Sequence, residues 1–177
     1  MHKLALFTPW PPQHSGIADY AFDLAIGLAR QGVYTSVFTD AAEPTSAGER
    51  ITIYPTSEFP GPDQFDRVVY QMGNNFRFHS SMLIPLAKYG GIVHLHDMVL
   101  HHMIHDLTSG NGQGLLYYRL LNHWYGSDVF EQACTWNRTR DDLFAHSESV
   151  TEVPLFEPVI RYANGCIVHS HFCRQRI

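Results

Sequence analysis

Short apolar runs alternate with helical periodicity along most of the chain. Leu4 to Phe7 is a run of the length a buried strand needs, and Pro9, Pro11 and Pro12 then stop any ladder. From Ile17 the spacing turns helical, with Ile17, Ala18, Ala21, Leu24, Ala25 and Leu28 on one face and Gln31-Gly32 as the stop. Val33 to Thr39, Ile51 to Tyr54, Phe65 to Met72, Gly91 to His96 and Gly165 to His169 read as further strands. Helices are predicted over 76–89 (with Pro85 as a kink), 98–107, 115–125, 126–144 and 154–162, and Ser170 is placed to cap another. Pro55 to Pro62, with three prolines and a glycine, must be irregular. Gly110, Gly112 and Gly114 predict a flexible turn opening a helical insertion over about 108–150.

Strands that are apolar throughout and alternate with helices call for an α/β fold, a parallel sheet covered on both faces. Ligands in such sheets bind beyond the carboxyl ends of the strands. Those ends carry Pro9 to Gly16, Gly73 to Asn75, His96-Asp97 and His169-Ser170, which should converge on one rim.

Composition narrows the class. The 177 residues allow one sizeable α/β domain, and 45% hydrophobic with 16% charged residues describes a globular chain. A net charge of −5 argues against a nucleic-acid partner, which would need clustered Lys and Arg. Cys134, Cys166 and Cys173 are odd in number and form no C-x-x-C pair, so reduced thiols in a cytoplasmic protein are expected. No basic segment precedes an apolar core of roughly 7–15 residues at the N-terminus, and no run approaches about 18 apolar residues. The 12 histidines exceed what packing alone explains, so their positions matter.

His94 and His96 alternate on one strand and should face the same side, with His96 nearer the carboxyl end. His96-Asp97 can hydrogen-bond a sugar hydroxyl or move a proton, and Asn74 and Asn75 offer amides suited to hydroxyl-rich ligands. The Ser15-Gly16 turn at a helix start suits an anion such as a phosphate. Asp19 and Tyr20 stand one turn further on. His94 reads as a core histidine. His101 and His105 have the i, i+4 spacing that chelates zinc, but no Cys or Glu completes a shell, so no metal site is assigned.

Four stretches carry a family likeness: P-W-P-P-Q-H-S-G-I-A-D-Y (9–20), Y-Q-M-G-N-N-F-R-F-H (70–79), V-H-L-H-D-M-V-L-H-H (93–102) and A-N-G-C-I-V-H-S-H-F (163–172). In this order they resemble the N-terminal domain of a family 4 (group 1) glycosyltransferase of GT-B architecture, over nearly the whole chain. The resemblance implies a Rossmann-like acceptor-side domain spanning 1–177. A second domain would hold the nucleotide sugar through an E-x7-E motif. It implies retaining transfer from a nucleotide-sugar donor to a sugar or lipid-linked acceptor, with no metal or other cofactor. A lipid-linked acceptor would bring the domain to the inner face of a membrane.

Residue by residue, the resemblance implies catalytic roles for His96 and Asp97, with Ser15 and Gly16 at the donor phosphate and sugar. The family usually has Gly-Gly where Ser15-Gly16 stands here. His14, Asp19, Tyr20, Gly73, Asn74, Asn75 and Ser170 fall on the acceptor side. The chain ends at Ile177, where the family crosses into its second domain, so the expectation is an isolated half unable to transfer sugar by itself. The alternatives are a non-catalytic Rossmann-like module that binds sugar or phosphate, and a metal-dependent hydrolase using the histidines.

Overall fold

The computed structural model describes residues 2–109 and 114–177. Six apolar segments form one sheet: β1 (Lys3–Phe7), β2 (Tyr34–Thr39), β3 (Ile51–Pro55), β4 (Arg67–Met72), β5 (Ile92–Leu95) and β6 (Gly165–Val168). All pairings are parallel and the order is β3-β2-β1-β4-β5-β6, a Rossmann-like sheet. The chain works outward from β1 to β3, then returns to β4 on the other side of β1. The switch point therefore lies between the carboxyl ends of β1 and β4, where a crevice opens in sheets of this kind.

Helix α1 (Gly16–Arg30) packs on one face of the sheet over β2 and β3, with Ala18, Ala21 and Ala25 all buried. Such small side chains let a helix lie close to a sheet, and this one covers a cluster of Trp10, Val37 and Ile51. Phe7 stacks between Phe38 and Tyr70 at centroid distances of 5.0 and 4.6 Å, and Phe59 caps Phe7 edge-on at 4.9 Å. That aromatic row belongs to the larger core, which continues beneath the helices joining β5 to β6.

The single helix predicted over 76–89 is two, α2 (Phe76–His79) and α3 (Leu83–Tyr89), with a 3₁₀ turn at Ser80–Met82. Pro85 sits in the first turn of α3, where a missing N–H costs nothing, so the break falls before the proline instead of at it.

Helix α4 (His101–Ser109) begins later than the expected 98, because the Leu100 N–H donates to the Pro154 carbonyl at 2.8 Å. α5 (Gly114–Tyr125) and α6 (Ser127–Thr139) complete the helical segment between β5 and β6. The turn expected at Gly110 and Gly112 lies outside the described residues.

The helix predicted over 154–162 shrinks to α7 (Glu157–Ile160). Leu155 has φ +54, which a helix cannot contain, and its N–H donates to the Tyr125 hydroxyl at 2.8 Å. Burial of Val153, Leu155 and Phe156 outweighs helical propensity there. α8 (His171–Arg176) follows β6, and Ser170 caps it by accepting from the Cys173 N–H at 3.1 Å. Among the described residues no helix is long and apolar enough to cross a membrane.

Candidate functional site

Two loops meet at the switch point, and their glycines do opposite things. Ser15 caps α1, its Oγ accepting from the Ile17 N–H at 3.3 Å. Gly16 follows as the first helical residue, and a Cβ built on it would meet nothing within 4 Å. Among the described residues no side chain packs against that point. Gly73, after β4, is enclosed: a Cβ there would lie 2.5 Å from Ile17 Cδ1, 3.0 Å from His79 Nε2 and 3.1 Å from Asp97 Oδ2. Gly73 thus lets α1, α2 and the segment after β5 close on one point, so packing accounts for its place. Asp19 already sets one carboxylate in the first turn of α1, partly complementing the helix dipole.

Asn74 organises this corner. Its backbone N–H donates to Asp97 Oδ2 at 3.1 Å, its Nδ2 donates to His102 Nδ1 at 2.7 Å, and its Oδ1 accepts from the Met103 N–H at 3.1 Å. The amide read from sequence as a ligand contact is engaged in holding α4 to the rim. Asn75 caps α2, accepting from the Arg77 N–H at 3.0 Å. Asn74, His96 and Asp97 nonetheless line one open cavity of about 540 Å³, shared with Thr151, Glu152, Phe172 and Arg176. Asp97 is exposed there.

The β5–β6 register, Leu95 opposite Val168, sets His96 beside His169 just past the strand ends. His94 points to the same side. The three rings lie at centroid distances of 4.5, 4.7 and 4.8 Å, and Tyr20 from α1 stands edge-on over all of them, closest to His96 at 4.9 Å. His94 Nε2 is 3.1 Å from His169 Nε2, which is 3.3 Å from His96 Nδ1. His96 Nε2 donates to Gln71 Oε1, so Nδ1 carries the lone pair. Burial, reinforced by the neighbouring imidazoles, brings His94 and His96 down to about 4.

His94 was expected to be a self-sufficient core histidine. It is buried, but its ring nitrogen faces the rim trio. The chelating pair considered at His101 and His105 does not form: His101 Nδ1 donates to the Val153 carbonyl, and Nε2 accepts from the Tyr117 hydroxyl at 2.6 Å. Both nitrogens are spent, and burial lowers this histidine to about 4.

His14 is exposed in the loop before α1, and Ser170 acts as the cap of α8. Tyr20, His96, Asp97 and Asn74 are thus brought together, Ser15 and Gly16 adjoin them through Ile17, and His14 joins no contact with the rest. Sequence reasoning passed over Gln71, and it set His96 and His169 on one rim without assigning His169 a role, although a histidine at the end of each of two successive strands was the available signal.

Compared with protein-family models, curated proteins and solved structures, the chain matches none. Its chemistry is therefore read from these residues alone.

Proposed function

We propose that this chain is the acceptor-side, Rossmann-like half of a retaining glycosyltransferase, contributing to sugar transfer from a nucleotide sugar to a hydroxyl acceptor. One observation carries the reading: the loops bearing the four family-like stretches meet at the carboxyl rim, with Gly16 leaving open space at the start of α1. In this reading the donor phosphate approaches the Gly16 N–H, the Ser15 N–H being held by the Gln13 carbonyl at 3.0 Å, and the helix terminus stabilises negative charge as the sugar–phosphate bond breaks. Asp97, exposed on the cavity wall, accepts from a sugar hydroxyl, and Tyr20 and Asn75 border the acceptor. The transfer itself calls on no metal.

A second reading is a module that binds sugar or phosphate without catalysis. It is favoured by His96, whose two ring nitrogens face Gln71 and His169 and leave none free for proton transfer.

The test is amide NMR of the labelled chain titrated with UDP-glucose, GDP-mannose and free oligosaccharides. Shifts at Gly16, Asn75, Asp97 and Ser170 are expected for at least one ligand. No shift with any of them, or shifts mapping to the β3 edge, would overturn the reading. Gly16→Ala should leave folding within about 0.5 kcal/mol, since the added methyl meets open space and favours the helix. The same methyl should weaken donor binding at least tenfold. Binding of glycan but not nucleotide sugar, with no transfer in the protein carrying a donor domain, selects the second reading.

A further inference from the structure

The rim trio has a feature that neither packing nor sugar recognition requires. His94, His96 and His169 bring ligand nitrogens from two strand ends to within 4.8 Å of one another. Two of the separations are 3.1 and 3.3 Å. A tetrahedral ion with metal–nitrogen bonds of about 2.0–2.1 Å spaces its ligand nitrogens about 3.3 Å apart. From these distances we propose that His94 Nε2, His96 Nδ1 and His169 Nε2 form a binding site for a divalent transition-metal ion, zinc in the first instance.

The surroundings fit such a site in three ways. Gln71 Oε1 accepts from His96 Nε2–H, which fixes the tautomer that turns the Nδ1 lone pair toward His169. Metal-bound histidines are held by outer hydrogen bonds of this kind. Gln71 is itself fully buried, a fixed support. His169 is exposed, so an ion has access from solvent.

Proton count makes the third point. A single proton on His169 Nε2 can serve only one of its two short contacts well, whereas a cation satisfies three lone pairs at once. Three neutral imidazoles suit zinc, copper or nickel better than magnesium or calcium, and leave a coordination position for water or an outside ligand. The proposal is independent of the glycosyltransferase reading, and either can fail without the other.

The experiment uses untagged, chelator-stripped protein near neutral pH, titrated with zinc against a competing chromophoric chelator. One ion per chain at micromolar or tighter affinity is expected, and Co²⁺ in its place should give the intense visible absorption of a four-coordinate site. His169→Ala removes an exposed ligand, so the variant folds and should bind at least 100-fold more weakly. Gln71→Leu should weaken binding about tenfold through His96, and His105→Ala should bind as the parent does. The proposal is overturned if the parent takes up no zinc at micromolar concentration, or if His169→Ala binds zinc as tightly as the parent.

Discussion

Four buried or half-buried histidines of this protein fall into two neighbourhoods that burial alone does not tell apart. His79 and His101 sit in the helical layer, and His94 and His96 stand at the rim of the sheet. Desolvation holds all four down to about 4. What separates them is where their nitrogens point. His79 Nδ1 donates to the Gln71 carbonyl at 3.0 Å, and His101 is fully occupied by the Val153 carbonyl and the Tyr117 hydroxyl. Those partners are structural, and none of them is another imidazole. At the rim, imidazole nitrogens face one another across two strands. A lowered histidine pKa is thus a poor guide to a site by itself, and the identity of the partner atom decides.

The shared property has the largest consequence. A histidine kept neutral in the fold costs nothing above its unfolded pKa near 6.5. As pH falls from there toward about 4, the unfolded chain takes up protons that the folded chain refuses, and stability is lost across that window. His79 and His101 should each contribute on the order of 3 kcal/mol to the loss. Urea unfolding on either side of the window measures it. A flat profile would mean that these rings admit water and charge freely in the folded protein.

Truncation breaks the comparison directly. His101→Ala opens a cavity under α4 and strands both the Val153 carbonyl and the Tyr117 hydroxyl, so a loss of about 3 kcal/mol is expected. His169→Ala removes an exposed ring that packs against His94, His96 and Tyr20, and should cost less than about 1 kcal/mol. Equal losses in denaturant unfolding would merge the two neighbourhoods into one packing role.

The sheet was legible in the sequence because each strand is a short apolar run bounded by Gly, Pro or polar residues, and all six strands recur within two residues of their expected limits. The parallel rim followed from their alternation with helices. Helix limits were harder to read wherever a tertiary contact outweighed periodicity, as at Leu100 held by Pro154 and at Leu155 held by Tyr125.

The rim's individual roles were also hidden. Whether Asn74 faces a ligand or clamps α4 depends on His102 and Met103, at sequence distances of 28 and 29 residues. The approach of His94 to His169 spans 75 residues and exists only through the β5–β6 register. Gly16 and Gly73 look alike as letters and differ only in what surrounds them.

The finest test is at Gln71, which touches both neighbourhoods. Its backbone carbonyl accepts from His79 and its side-chain Oε1 accepts from His96, while its Nε2 is buried with no partner among the described residues. Gln71→Leu keeps the volume and the backbone bond but deletes the acceptor that fixes His96. The stranded His96 Nε2–H costs stability, and removal of the orphaned amide offsets part of it, leaving about 1 kcal/mol or less. Tautomer state is the sharper readout. Nitrogen-detected NMR should show His96 losing its preference for the Nε2–H form while His79 keeps its Nδ1–H. If both histidines change together, the rim and the interior form one hydrogen-bonded unit with Gln71 as its centre. If neither changes, the orientation of His96 is set by His169 and Tyr20, and Gln71 supports the rim by packing alone.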